Sequence, residues 1–236
     1  MNYVNIRRNK IFKEFYNNTI INVNPKKVEF ITTTYQYSGP ITNKLYSLPK
    51  IIQGRATGYL ASKILLMEPF FFGNFKIKPI CIDNEERFIL IKELLDQVDN
   101  YKDSIWYKRL AEKVYTEGFV FHKGIKITNL SELDTFFKGT LKMSNEISKK
   151  GFNVNNHLIE SGVIIDHDFN IIKASHGNHR FFIAKLLNVV SYPCLIEKIH
   201  RKIYLNYIKE RNLRAISSPD DFEIFLNFVK DNINNG

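Results

Sequence analysis

Apolar positions along this chain change period twice, and the changes mark out its elements. Between Glu85 and Val98 the apolar residues Phe88, Ile91, Leu95 and Val98 recur at intervals of three or four. That spacing predicts an amphipathic helix, with Asp83 or Asn84 as its cap and Glu85 and Glu86 in the favourable first turn. A longer helix is predicted from Ser131, with Asp134 in a capping-box place and Leu133, Phe136, Phe137, Leu141 and Ile147 on one face. Gly151 stops it. The period then shortens: "GVIIDHDFNIIK", residues 162–173, is two apolar runs around the polar stretch Asp166–Asn170, which predicts two short strands. "SHGNHR" follows, and then a helix carrying Phe182, Ile183, Leu186 and Leu187. "YPCLIEKIH" reads as a further strand with Pro193 at its start. A final helix is announced by Ser218 as cap, Pro219 at the first helical position and Asp220 and Asp221 in the first turn. Its apolar face is Phe222, Phe225, Leu226 and Val229.

Upstream the signal is weaker. "VEFITTTYQY" alternates and Ser38-Gly39-Pro40 marks a turn, while "YLASKILLMEP" is helix-like and is stopped by Pro69. The expected fold class is α/β (α+β), a small mixed sheet with flanking helices. The expected organisation is a basic N-terminal α+β extension over 1–100 without an assigned fold, a core over 101–210 and a C-terminal helix over 211–236.

Composition narrows the class. With 236 residues, 44% hydrophobic and 14% aromatic, the chain can bury a sizeable core and is not of the disordered type. Thirty-four Lys and Arg against 24 Asp and Glu give a net charge of +10, of which +6 falls in residues 1–50. Such a balance fits polyanionic partners, whether nucleotides, nucleic acid or an anionic membrane or glycan surface, and equally a solvated Lys-rich face. The two cysteines, Cys81 and Cys194, have no metal-ligand spacing and fit a reducing, cytoplasmic location. No run reaches the roughly 18 apolar residues of a membrane span, so membrane association is expected to be at most peripheral.

The chemistry concentrates in "HGNHR". A turn between a strand and a helix presents backbone amides at the positive end of the helix dipole, and a glycine there allows close approach. Gly177, Asn178, His179 and Arg180 therefore read as a phosphate or carboxylate seat, with the arginine fork suited to a phosphate. In "FHKGIKI", Lys123 is a second candidate phosphate ligand and His122 a candidate substrate contact. His200, beside Arg201 and Lys202, is another candidate for an acidic substrate. Phosphoryl transfer also needs a carboxylate to accept a hydroxyl proton or hold a metal ion, and Glu160 and Asp166 are the nearest in sequence. Trp106 reads as a packing anchor, with sugar stacking as the other use of such a ring.

The stretch "GVIIDHDFNIIKASHGNHRFFIAKLLNVVSYPCLIEKIH" resembles the core of the ParB/sulfiredoxin-like superfamily. Its members run from strand and turn through a G-x-H-R or G-E-R-R box into a helix and a closing strand. The likeness covers about residues 120–202, including the helix that ends in "EISKKG". Sulfiredoxins place their reacting cysteine where this chain has Asn178, so sulfinic acid reduction is not implied. Partition proteins have Glu and Arg where this chain has Asn178 and His179, and no helix-turn-helix module is visible after the core. The box is more similar to that of the free-serine-kinase branch and of members tied to polysaccharide biosynthesis. The resemblance thus implies a nucleotide-binding phosphotransferase that uses ATP or another nucleotide with Mg²⁺ and a hydroxyl acceptor on a small molecule or glycan. The alternative is a DNA-binding or regulatory protein without kinase activity.

Overall fold

The computed structural model describes residues 19–32, 72–73, 79–122, 125–151, 161–174, 177–213 and 219–234. The predicted strand region after Thr32 and the predicted helix over 58–68 lie outside these residues. The protein has the mixed α+β architecture that its periodicities require.

Strand β7 (Gly162–Ile165) is buried at every position, as a strand covered on both faces must be. It forms an antiparallel pair with β8 (Ile171–Lys173) across the predicted polar turn and a parallel pair with β9 (Tyr192–His200). The free edge of β9 takes β1 (Ile20–Val23), antiparallel, and further along β3 (Phe72–Gly73), parallel. Beyond β8 lie β2 (Phe30–Ile31), parallel to it, and then β4 (Ile80–Cys81), antiparallel to β2. Among the described residues the sheet therefore has seven strands in the order β1-β9-β7-β8-β2-β4, with β3 also on β9. Strands from before residue 100 stand on both sides of the central trio. The domain division expected there does not coincide with any break in the sheet.

A register shift in the β7–β9 pair pairs Val163 with Ile196 and Ile164 with Lys198, leaving Glu197 as the extra residue of a bulge. Its side chain folds over Gly162, where any Cβ would overlap it.

Helix α1 (Glu86–Asp96) is capped by Glu85, whose carboxylate accepts from the Phe88 amide at 3.0 Å. Asp83 and Asn84 are unavailable as caps because Ile82–Asn84 is itself a short 3-10 turn. Phe88, Ile91 and Leu94 are buried, whereas Val98 is exposed because the helix stops before it. Helix α2 (Ile105–Glu117) is capped by Ser104 and buries Trp106, Tyr107, Leu110 and Val114. It leads into an antiparallel hairpin of β5 (Val120–His122) and β6 (Ile125–Ile127).

Helix α3 (Leu130–Lys150) begins one residue earlier than its pattern predicts. Asn129 accepts from the Glu132 amide at 2.9 Å, and Glu132 reaches back to the Thr128 amide at 2.7 Å. Asp134 is therefore free of capping and bonds Tyr107 Oη and Lys102 Nζ, each at 2.7 Å. Those bonds, Lys102 first, hold its carboxyl below the ordinary range, while burial and then the bond to Asp134 raise the Tyr107 hydroxyl.

Helix α4 (Asn178–Leu186) links β8 to β9 and buries Phe181, Phe182, Ile183 and Ala184, with Phe181 edge-on to Tyr192 of β9 at 5.6 Å. Phe182 meets Phe88 of α1 edge-on at 5.4 Å. The chain continues as α5 (Arg201–Glu210) and ends in α6 (Pro219–Asn234), whose Phe225 packs on Tyr207 at 5.0 Å. Phe225, Leu226 and Val229 of the predicted apolar face are buried. Among the described residues no helix is long and apolar enough to cross a membrane.

Candidate functional site

The turn that opens α4 is built as its residues dictate. Gly177 is the N-cap with φ 67° and ψ 24°, a left-handed conformation that glycine adopts without Cβ strain. Among the described residues no side chain caps the helix. Its first-turn amides therefore keep their direction toward any group seated there.

Asn178, at the first helical position, is only 4% exposed, and among the described residues neither its Oδ1 nor its Nδ2 has a hydrogen-bond partner. A buried amide in that condition costs on the order of 1–3 kcal/mol, and such groups are rare enough to require a reason. His179 and Arg180 follow at half-buried positions of the same turn.

Two further polar groups form the floor beneath this turn. Ser161 is 1% exposed, and its Oγ donates to the Gly177 carbonyl at 3.0 Å, with Tyr192 Oη at 3.4 Å. Lys173 is fully buried; its ammonium donates to the carbonyls of Gly162 at 3.2 Å and Ala174 at 2.7 Å and lies 5.4 Å from the centre of the Phe181 ring. Burial lowers its pKa to about 8, against the opposing influence of Cys194 and Glu197. Burial likewise pushes the Cys194 thiol up to about 12, so that side chain stays neutral.

The tertiary fold sorts the residues singled out from the sequence into two groups. His122, from the β5–β6 hairpin, stands with its ring centre 5.6 Å from that of His179. Trp106 contacts both, at 5.5 Å to His122 and 5.6 Å to His179, and Phe136 lies 4.8 Å from His122. Trp106 is thus a packing anchor, buried among these rings and Phe137.

His200 and Asp166 belong to the opposite end of β7. Asp166 closes the β7–β8 hairpin: Oδ1 accepts from the amides of Asp168 and Asn170, both at 2.9 Å, and Oδ2 from Asn170 Nδ2 at 3.1 Å. His167 of the same turn lies 5.4 Å from His200 and bonds Asp168 at 3.0 Å. His200 Nδ1 accepts from the Lys202 amide at 3.2 Å and so caps α5. Burial, then the neighbouring His167, lowers the His200 pKa. The strand length between Gly162 and Ile165 separates this group from the Gly177 turn. Glu160, Lys123 and His176 lie outside the described residues.

Sequence reasoning did not select Ser161 or Lys173. Neither had a signal that periodicity could read: Lys173 stands in the non-alternating run "IIKA", and its burial depends on what covers the strand. No protein-family model matches this chain, and comparisons with curated proteins and with solved structures find no match for it.

Proposed function

We propose that this protein binds a nucleotide by its phosphates at the first turn of α4 and transfers a phosphoryl group to a hydroxyl of a small molecule or glycan. The observation that carries the reading is Asn178, a buried amide with no hydrogen bonds among the described residues, placed at a helix N-terminus that none of their side chains caps. A fold tolerates that cost where a ligand supplies the missing partners. The amides of the first turn and the Arg180 guanidinium would hold the phosphates, and His179, buttressed by His122 and Trp106, would donate beside them. The resemblance of the 177–180 box to nucleotide-binding members of the ParB/sulfiredoxin-like superfamily supports the same assignment.

Of the two carboxylates, Glu160 is the better proposal for the base that accepts the hydroxyl proton. It is the chain neighbour of Ser161, which bonds Gly177. Asp166 is engaged by its own hairpin turn at the far end of β7. Among the described residues no three His, Cys, Asp or Glu side chains gather to hold a metal ion. These residues do not by themselves make a magnesium site; the ion would be held mainly by the phosphates it arrives with.

Titration calorimetry with ATP, ADP and CTP in the presence of Mg²⁺ tests the proposal. Binding is expected for the wild type and a loss of at least tenfold for Arg180→Ala, which removes a charged two-pronged contact. No nucleotide binding, together with salt-dependent and sequence-independent gel shifts of DNA, would overturn it in favour of the DNA-binding alternative.

A further inference from the structure

Lys173 has no place in the mechanism above, yet a fully buried ammonium is among the more expensive groups a core can hold. Its position is specific. It joins the carbonyl of Gly162 on β7 to that of Ala174 at the end of β8, and the Ala174 amide itself bonds the Gly162 carbonyl at 2.9 Å. The neighbour of Gly162, Ser161, in turn holds the carbonyl of Gly177. Lys173 thus bonds the residue next to the one that holds the Gly177 carbonyl, and the Phe181 ring of α4 lies 5.4 Å from its ammonium. Cys194 and Glu197 of β9 influence it, and His179 and Arg180 lie on the first turn of the helix that covers it. Glu197 is the acid among these; its side chain lies over Gly162, whose carbonyl Lys173 bonds, and its charge opposes the effect of burial on Lys173.

We infer that Lys173 is a positioning residue whose buried positive charge strengthens the hold of the α4 turn on a polyphosphate. The inference rests on the nucleotide-binding reading and adds to it a regulation that the reading does not require. In a medium of low dielectric the charge acts on a bound anion without touching it, and little solvent intervenes to screen it. With the Lys173 pKa near 8, the charge is present at neutral pH and is withdrawn as pH rises through 8. The ordinary histidine range lies below this window, and the terminal phosphate of ATP has already lost its second proton there.

The test is the dissociation constant of MgATP for the full-length protein, measured by calorimetry from pH 7.0 to 9.5 for the wild type and Lys173→Met. The wild type should weaken by about tenfold in one step centred near pH 8. K173M should bind about tenfold more weakly than wild type at pH 7.0 and should show no such step. A flat wild-type profile, or a K173M profile that retains the step, overturns the role of Lys173 while leaving the seat intact. Absence of MgATP binding by the wild type at any pH overturns the seat and this inference together. If K173M fails to fold, as judged by its circular dichroism, the wild-type profile alone decides: a step near pH 8 supports the inference and its absence sinks it.

Discussion

Asn178 is the residue where stability and the proposed function pull apart. Its amide has no partner among the described residues and is buried, so replacing it by an apolar residue of similar size should stabilise the ligand-free protein. Asn178→Leu is expected to gain about 1–3 kcal/mol in urea denaturation and to bind MgATP more weakly than wild type. A variant that is less stable, or that binds unchanged, would mean that the amide is structural. Gly177 makes the complementary case: at φ 67° an alanine should cost about 1–2 kcal/mol and displace the first-turn amides, read as lower stability and weaker binding together. The polar crowding of "HGNHR" was visible in the sequence, as was the glycine. That Asn178 is buried was not, because the burial of a first helical residue depends on what packs around it.

At the scale of elements, the joint between α2 and α3 depends on Asp134. Asp134→Ala leaves the buried Tyr107 hydroxyl without its acceptor and should cost about 1 kcal/mol, measurable by chemical denaturation, whereas Asp134→Asn should cost less because it still accepts from Tyr107. Helix α5 carries a pH-dependent cap. His200 accepts through Nδ1 and its folded pKa is lowered, so below pH 6.5 the unfolded chain binds more protons than the folded one and stability falls as pH falls. Thermal melts between pH 7 and 5 should show the wild type losing ground to His200→Asn, in which an uncharged cap is retained. The existence of α3 was legible in the sequence but its start was not, and α2 and α5 were not foreseen. Glu132 and Asp134 both sit at plausible capping intervals, and the choice fell to Glu132 once Asp134 was drawn to Tyr107 and Lys102.

Among the described residues one large core spans the sheet and helices, beside a small cluster of Ile164, Ile172 and Ala174. Phe88 of α1 and residues of β1, β2, β7, β9 and α4 belong to the large core. Residues 101–236 expressed alone lack β1, β2, β3, β4 and α1, and are expected to show no cooperative thermal transition, while the full chain shows one. Lys173 gives that core an alkaline signature. Its folded pKa lies below its unfolded value of 10.5, so the unfolded chain binds more protons between pH 8 and 10.5, and stability rises with pH across that window. The full span is on the order of 3 kcal/mol. It should appear, between pH 8 and 9, as a rise in melting temperature of wild type relative to Lys173→Met. Above pH 9 the buried Cys194 thiol acts in the opposite direction.

Local rules, acting over a few residues, were enough to determine the α+β class, the β7–β8 hairpin, the helix after the glycine turn and the polar box at its foot. Period, caps and turn residues are properties of neighbours along the chain, and the sequence displays them directly. The tertiary structure alone decided which distant residues meet. It brought His122 to His179, carried Asp166 and His200 to the other end of the sheet, placed β1 and β2 on either side of the central strands, and set Ser161 and Lys173 under the turn. Those pairings follow from strand order and from the packing of α4 on the sheet, which depend on contacts between residues tens to more than a hundred positions apart. No periodicity along the chain encodes them.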